Sequence, residues 1–301
     1  MTARLTFAIP FHRHVGYLRE ALESVQQQTS ALWTALVCDD GDEGARAAAL
    51  VAELDDSRIV YLRRSESNGM VANWNACLDR AETDLVTLLH ADDRLHPHYT
   101  EELLDTLDAY PSAVAGFCRA DVLDERGRRR FSFVDAAKRW FEPGTGGRLE
   151  LRGEGGLRAL ARGNFIMCPT LCYRKSRLGT RRFDPSWRQV QDLELTSRLL
   201  LDGELLVGSP VRAYAYRRHR QSATEQQSQS LLRFREEFAL LDQIAARARE
   251  HGWQRAADTA SRKSSVRLHL LYRALLDFLG GNRARARQQL GWARSGRTDD
   301  V

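Results

Sequence analysis

Residues 85–97 read LVTLLHADDRLHP: an apolar run that ends abruptly in His90 and the adjacent carboxylates Asp92 and Asp93. A second pair, Asp39 and Asp40, closes another apolar run in ALVCDDGDEG, residues 35–44. Taken singly, either pair fits turn chemistry, because Asp and Gly are common loop formers. Two pairs at the ends of two strands of one parallel sheet would share an edge. Clustered carboxylates raise one another's pKa unless a cation sits between them. Oxygen ligands of this kind suit Mg²⁺ or Mn²⁺, which usually bridge to phosphates.

The elements that must position these residues are legible in the first half. Strand-like runs at 4–10, 35–40, 58–64 and 84–90 alternate with helical spacing at 15–29, 45–55, 69–82 and 97–110. In the first helix, Val15, Leu18, Leu22 and Val25 fall on one face. Strand–helix alternation predicts a Rossmann-like, mostly parallel α/β sheet with helices on both faces. Ligands of such sheets bind beyond the carboxyl ends of the strands. Those ends carry IPFHRH, VCDDGDEG and HADDRLHP.

Residues 112–222 are less regular. They predict a strand and turn at 113–124, a basic turn at 125–131 and a glycine-rich loop at 142–156. Extended chain follows at 164–175 and a helix at 191–203. Trp140 and Phe141 read as loop anchors. From about Ser222 the pattern is helical to the end. Leu268, Leu271, Leu275 and Leu279 form an apolar stripe that could pack on the preceding α/β domain, a second subunit or a membrane surface; packing on the domain is the expectation.

The 301 residues, 43% hydrophobic and 28% charged, have ordinary globular composition. The apolar stretches are too short to span a bilayer, and no signal-like segment opens the chain. Cys38, Cys77, Cys118, Cys168 and Cys172 are scattered, which fits reduced thiols and a cytoplasmic setting, with the inner face of the membrane left open. The net charge of +5 favours anionic partners without choosing among nucleotides, phospholipid surfaces and nucleic acid.

Over residues 5–222 the chain resembles family 2 glycosyltransferases, inverting enzymes of the GT-A fold that use nucleotide sugars. LTFAIPFHRHVGYLREALESVQQQT is similar to the family's opening strand and helix, and ALVCDDGDEG resembles its nucleotide-binding strand end. NGMVANWNACLDRAETDLVTLLHADD resembles its asparagine-bearing helix and metal motif. FDPSWRQVQDLELTSRLLLDG resembles the acid–base segment, and YRRHRQSAT the closing R-x-H-x-x-S element. The resemblance implies Pro10, His12, Asp39, Asp40, Asn68, Asn75 and Asp92 as nucleotide-sugar contacts. It further implies Asp92, Asp93 and His219 at a divalent metal, Mn²⁺ or Mg²⁺, and Asp192 as the catalytic base. Three positions depart from the family pattern: His90 replaces the first Asp of D-x-D, Gln191 the Glu before the base, and Trp74 a frequent arginine.

The expected division is a GT-A domain at 1–222, with a nucleotide-sugar half to 110 and an acceptor half from 111, and a helical extension at 223–301. The expected partners are a nucleoside-diphosphate sugar and a hydroxyl acceptor, with no nucleic acid; a peripheral membrane contact and a homodimer stay open. The competing readings are a nucleotidyltransferase, disfavoured because IPFHRH lacks a glycine-rich triphosphate loop, and a catalytically inactive sugar-nucleotide binder, prompted by His90 and opposed by Asp192.

Overall fold

The computed structural model describes residues 2–65, 69–130, 142–143, 146–219 and 231–297. Its first half alternates as expected: β1 (Leu5–Phe11), α1 (Val15–Gln26), β2 (Trp33–Asp39), α2 (Gly44–Glu53), β3 (Ile59–Arg63), α3 (Met70–Arg80) and β4 (Leu85–Leu88). A two-residue β5 (Arg94–Leu95) and α4 (Tyr99–Ala109) follow. β1 pairs in parallel with β2 on one side and β4 on the other, and β2 pairs with β3. Both sheet faces are covered, so the strands read as continuous apolar runs. Successive side chains point to opposite faces. Phe7 and Ile9 accordingly enter one core, while Ala8, between them, enters the other.

The second half makes the sheet mixed. It contributes β6 (Ala113–Leu123), β7 (Leu149–Leu151), α5 (Gly153–Arg162), β8 (Leu171–Arg174), α6 (Lys175–Leu178), α7 (Gln191–Leu201) and β9 (Leu205–Arg217). The strand order is β3-β2-β1-β4-β8-β6-β9-β5, with β7 added beside β9. β8 runs antiparallel to both β4 and β6, whereas β6 and β9 are parallel. Within the glycine-rich stretch expected as a loop at 142–156, residues 149–156 instead form β7 and the start of α5. Leu151, Leu157 and Leu160 supply the buried face, and a Cβ on Gly156 would lie 2.9 Å from the Leu151 backbone carbon. The basic turn behaves as a hairpin tip: Gly127, at φ +74°, donates its N–H to the Asp124 carbonyl. Arg128 pairs with Asp124 and Arg129 with Asp121. Trp140 and Phe141 lie outside the described residues.

Four helices close the described chain: α8 (Leu232–Glu250), α9 (Gln254–Arg262), α10 (Ser264–Leu279) and α11 (Arg283–Ser295). α8 buries Phe234, Phe238, Leu241 and Ile244 in the same core as α5 and α7. The leucine stripe of α10 does not pack on the catalytic domain as expected. Leu268 is 62% exposed and Leu279 73%, and Leu271 and Leu275 are exposed as well. α10 carries two apolar stripes, and Val266, Leu270 and Ala274, at i, i+4, i+8 spacing, form the buried one.

Candidate active site

Parallel pairing brings the ends of β1, β2 and β4 to one edge, where a cleft of about 460 Å³ opens, a size usual for small-molecule sites. The two members of the first Asp pair have separate surroundings. Asp39 is fully buried and stands in register with Arg63 of β3. Its carboxylate accepts from the Gly41 N–H at 2.8 Å and the Tyr61 hydroxyl at 2.6 Å, with the Arg63 guanidinium at 3.0 Å. Burial, then the bond to Asp39, pushes the Tyr61 phenol up to about 12. Asp39 thus braces the strand end, while Asp40 lines the cleft. The Asn73 amide, at 3.3 Å, and His12 Nδ1, at 3.4 Å, approach Asp40 Oδ1. Asn73 also donates to the Cys38 carbonyl at 3.0 Å, tying α3 to β2. Pro10 and His12 line the same end of the cleft as Asp40. A Cβ at Gly41 would sit 1.5 Å from the His12 carbonyl oxygen, so the two strand-end loops meet only because residue 41 is glycine.

At the second pair, Asp93 is fully buried. Its carboxylate accepts from the Arg217 N–H at 2.7 Å and the Tyr214 hydroxyl at 2.9 Å, which fastens the end of β9 to the turn after β4. Burial, then the charge of Asp92, pushes the Asp93 carboxyl well above its usual range. Asp92 lines the cleft and meets His219 Nε2 at 2.8 Å. Burial raises Asp92, but the His219 bond and the two imidazole charges outweigh it and hold the carboxyl low. His90 also lines the cleft, stacks on Trp74 with ring centroids 5.2 Å apart, and leaves Nε2 buried without a hydrogen-bond partner. Burial holds its imidazole below the ordinary value. Ligand atoms of His90, Asp92 and Asp93 lie within 4.8 Å of one another. His14, at φ +70°, holds the left-handed conformation rare outside glycine. Its ring lies edge-on to Tyr17, and Tyr17 in turn lies 5.1 Å from His219.

The opposite wall comes from α7. Asp192, in its first turn, lines the cleft and accepts from the Asn164 amide at 3.3 Å. Asn164 Oδ1 and Gln191 Oε1 are buried there without hydrogen-bond partners, two acceptors set beside the carboxylate. From α8, Arg233 and Glu237 reach the same wall, joined at 2.8 Å. The charge of Glu237, against burial and with help from Asp192, holds the Arg233 proton more tightly than usual.

Of the residues expected at a site, Pro10, His12, Asp40, Asp92, Asp192 and His219 share this cleft. Asp39 and Asp93 stand behind it as buried braces. Asn75 faces elsewhere, exchanging two 2.9 Å hydrogen bonds with the Phe183 backbone. Asn68 lies outside the described residues. Sequence reasoning missed Asn73, Asn164, Arg233 and Glu237. Asn73 had a local signal, its place two residues before Asn75 on the same helix.

Comparison with known proteins identifies the family and the fold. Residues 6–175, more than half of the chain, match the model of Glycosyl transferase family 2. Protein CgeD of Bacillus subtilis is 26% identical over 136 residues, 42% of this chain and 32% of its own length. Glycosyltransferase GlyA of Streptococcus pneumoniae is 28% identical over 114 residues, 37% of this chain and 16% of its own length. An uncharacterized glycosyltransferase of Rickettsia typhi, RT0329, is 22% identical over 69% of this chain and 64% of its own length. The match therefore spans less than two thirds of each of these relatives. Among solved structures, S. aureus TarS 1–349 superposes with a TM-score of 0.64 at 12% identity, covering 98% of this chain and 92% of that one. This likeness shows the fold: a mixed α/β open sheet of GT-A type followed by C-terminal helices. With the family match covering the strand ends that build the cleft, the chain belongs to Glycosyl transferase family 2.

Proposed function

We propose that the chain moves a sugar from a nucleoside-diphosphate sugar to a hydroxyl acceptor with inversion at the anomeric carbon. The observation that carries this reading is a single cleft joining Asp40, the Asp92–His219–His90 group and Asp192. Two strand ends supply the donor side, and α7 supplies the opposite wall. TarS 1–349 has been solved in complex with UDP-GlcNAc and with UDP, which supports a uridine nucleotide as donor.

In this reading Asp40, held by Asn73, takes hydrogen bonds from base or ribose, and His12 packs against them. The basic side chains Arg13 and Arg218 line the cleft and suit an anionic diphosphate. Asp192 removes the proton of the incoming hydroxyl as that oxygen bonds to C1. The bond from C1 to the phosphate oxygen breaks on the far side, and its electron pair leaves with the diphosphate. The Asn164 amide donates to Asp192 Oδ2 and so helps to orient the carboxylate toward the incoming hydroxyl. The buried acceptors of Asn164 and Gln191 would take donor hydrogens from the acceptor's neighbouring hydroxyls.

His90, clustered with Asp92 and Asp93 and with its Nε2 buried without a hydrogen-bond partner, fits a divalent ion. His90, Asp92 and His219 would hold it, with Asp93 behind them. When bound, it would offset charge on the departing diphosphate. Activity should therefore vanish in EDTA and return with added metal, better with Mn²⁺ than with Mg²⁺ because His90 offers nitrogen. Full activity in EDTA would remove the metal from the mechanism, whereas equal rescue by both ions would remove only the role given to His90.

The direct test of the function is thermal unfolding with a panel of UDP-, GDP- and dTDP-sugars plus Mn²⁺. A ligand at a hundred times its Kd adds about 2.7 kcal/mol to the native state. For a chain of this size that is a rise of roughly 4 °C. A flat response across the panel would overturn the donor assignment.

A further inference from the structure

The outer face of α10 has no partner within the described chain. Leu268, Leu271, Tyr272, Leu275, Leu276 and Leu279 are 41–73% exposed, and Phe278 joins them at 57%. At 100° per residue these side chains fall within an arc of about 160°. The charged residues of the helix, Arg267, Arg273 and Asp277, lie outside that arc. An uncharged apolar face on the order of several hundred Å² marks an interaction surface.

Charge decides what covers it. Residues 264–297 hold seven arginines and one carboxylate, Asp277. That carboxylate is already engaged by Gln289 at 2.8 Å and Arg285 at 3.5 Å. On α11, Arg283, Arg287 and Arg294 are exposed at i, i+4 and i+11, and the exposed Leu290 stands on the same line at i+7. A second copy seated face to face would bring two basic hairpins together, since residues 264–301 hold seven arginines against Asp277, Asp299 and Asp300. An anionic lipid surface meets both features: the apolar arc enters the acyl boundary, and the arginines meet headgroup phosphates.

We propose that α10 and α11 form a docking surface for an anionic membrane, with the apolar face of α10 inserted in the plane of the interface. No helix among the described residues is long and apolar enough to cross a membrane, so the attachment would be peripheral. His269 of α10 lies against Phe234 of α8, with ring centroids 5.1 Å apart, next to the cleft residue Arg233. The docking face is thus one helix removed from the cleft.

The test is co-sedimentation of the full-length protein with vesicles of phosphatidylcholine, with and without phosphatidylglycerol, in parallel with analytical ultracentrifugation. Wild type should bind only the anionic vesicles and release as salt rises. The double variant Leu271→Glu, Leu275→Glu should lose binding at least about tenfold, because charge on the inserted face opposes burial. Both positions are exposed, so its melting temperature should stay at the wild-type value. Replacing Arg283, Arg287 and Arg294 with glutamine should weaken binding roughly a hundredfold, about fivefold per arginine. Absence of binding, or binding untouched by the leucine changes, would overturn the proposal. A dimer abolished by those changes in a protein that ignores vesicles would assign the face to a second copy instead.

Discussion

Replacing Asp192 with asparagine is expected to slow transfer by roughly a hundred- to ten-thousand-fold, the usual contribution of a general base, and to leave donor affinity near that of wild type. The substitution keeps the shape of the side chain and its place in the first turn of α7. One amide oxygen still accepts from Asn164, but nothing on the side chain can take up a proton. The groups proposed to grip the nucleotide stand on other elements: His12 follows β1, Asp40 follows β2 and Asn73 lies on α3. Steady-state kinetics with saturating donor, beside calorimetry of donor binding, separate the two effects. Transfer at half the wild-type rate or better would remove Asp192 from the mechanism. A matching collapse of donor affinity would place it on the donor side rather than opposite it.

The strand ends were legible because both causes are local. Apolar runs of four to seven residues alternate with helical spacing, and carboxylate pairs stand where two of them, β2 and β4, stop. The separate fates of neighbouring carboxylates were not legible, because they depend on pairing between distant segments. Asp39 is withdrawn from the cleft by its register with Arg63 and the reach of Tyr61, both from β3. Asp93 is occupied by Tyr214 and Arg217, more than a hundred positions along the chain. Asn73 and Asn75 are two residues apart on a helix, so they face about 200° apart. Nothing in the sequence states which of them turns to the cleft. α10 poses the same problem in apolar form. Its two stripes of opposite direction satisfy one periodic pattern equally well, and tertiary contacts bury the narrower one. Arg233 and Glu237 carry only an i, i+4 signal, common on any solvated helix.

Truncating Glu236 to alanine should lower kcat by up to about a hundredfold at unchanged donor KM, because Glu236 positions the segment that carries Asp192, the proposed base. The residue sits on α8, only 9% exposed. Its carboxylate accepts from the Arg188 N–H at 3.1 Å and the Gln189 N–H at 2.7 Å. Val190 follows as the N-cap of α7, and Asp192 is the second residue of that helix. Glu236 therefore fixes where α7 begins, and with it the height of Asp192 in the cleft. Without the carboxylate, two backbone donors lose their partners at about 1–3 kcal/mol each. Against a typical total of about 5–15 kcal/mol, the melting temperature should fall by roughly 3–10 °C. A displacement near 1 Å at a reacting group can cost about a hundredfold in rate. Glu236→Gln keeps one accepting oxygen and should fall between alanine and wild type. A chain ending at Ser222 is a blunter probe: it loses the burial of Phe234, Phe238, Leu241 and Ile244 as well, about 1.5–3 kcal/mol each, which rivals the whole stability. The point substitution keeps that core, so kinetics well below its melting temperature report on placement alone. If Glu236→Ala lowers the melting temperature yet retains kcat within twofold, α8 supports the fold and takes no part in aligning the base. If donor KM rises instead, the C-terminal helices complete the donor side of the cleft, and Arg233 becomes the residue to change next.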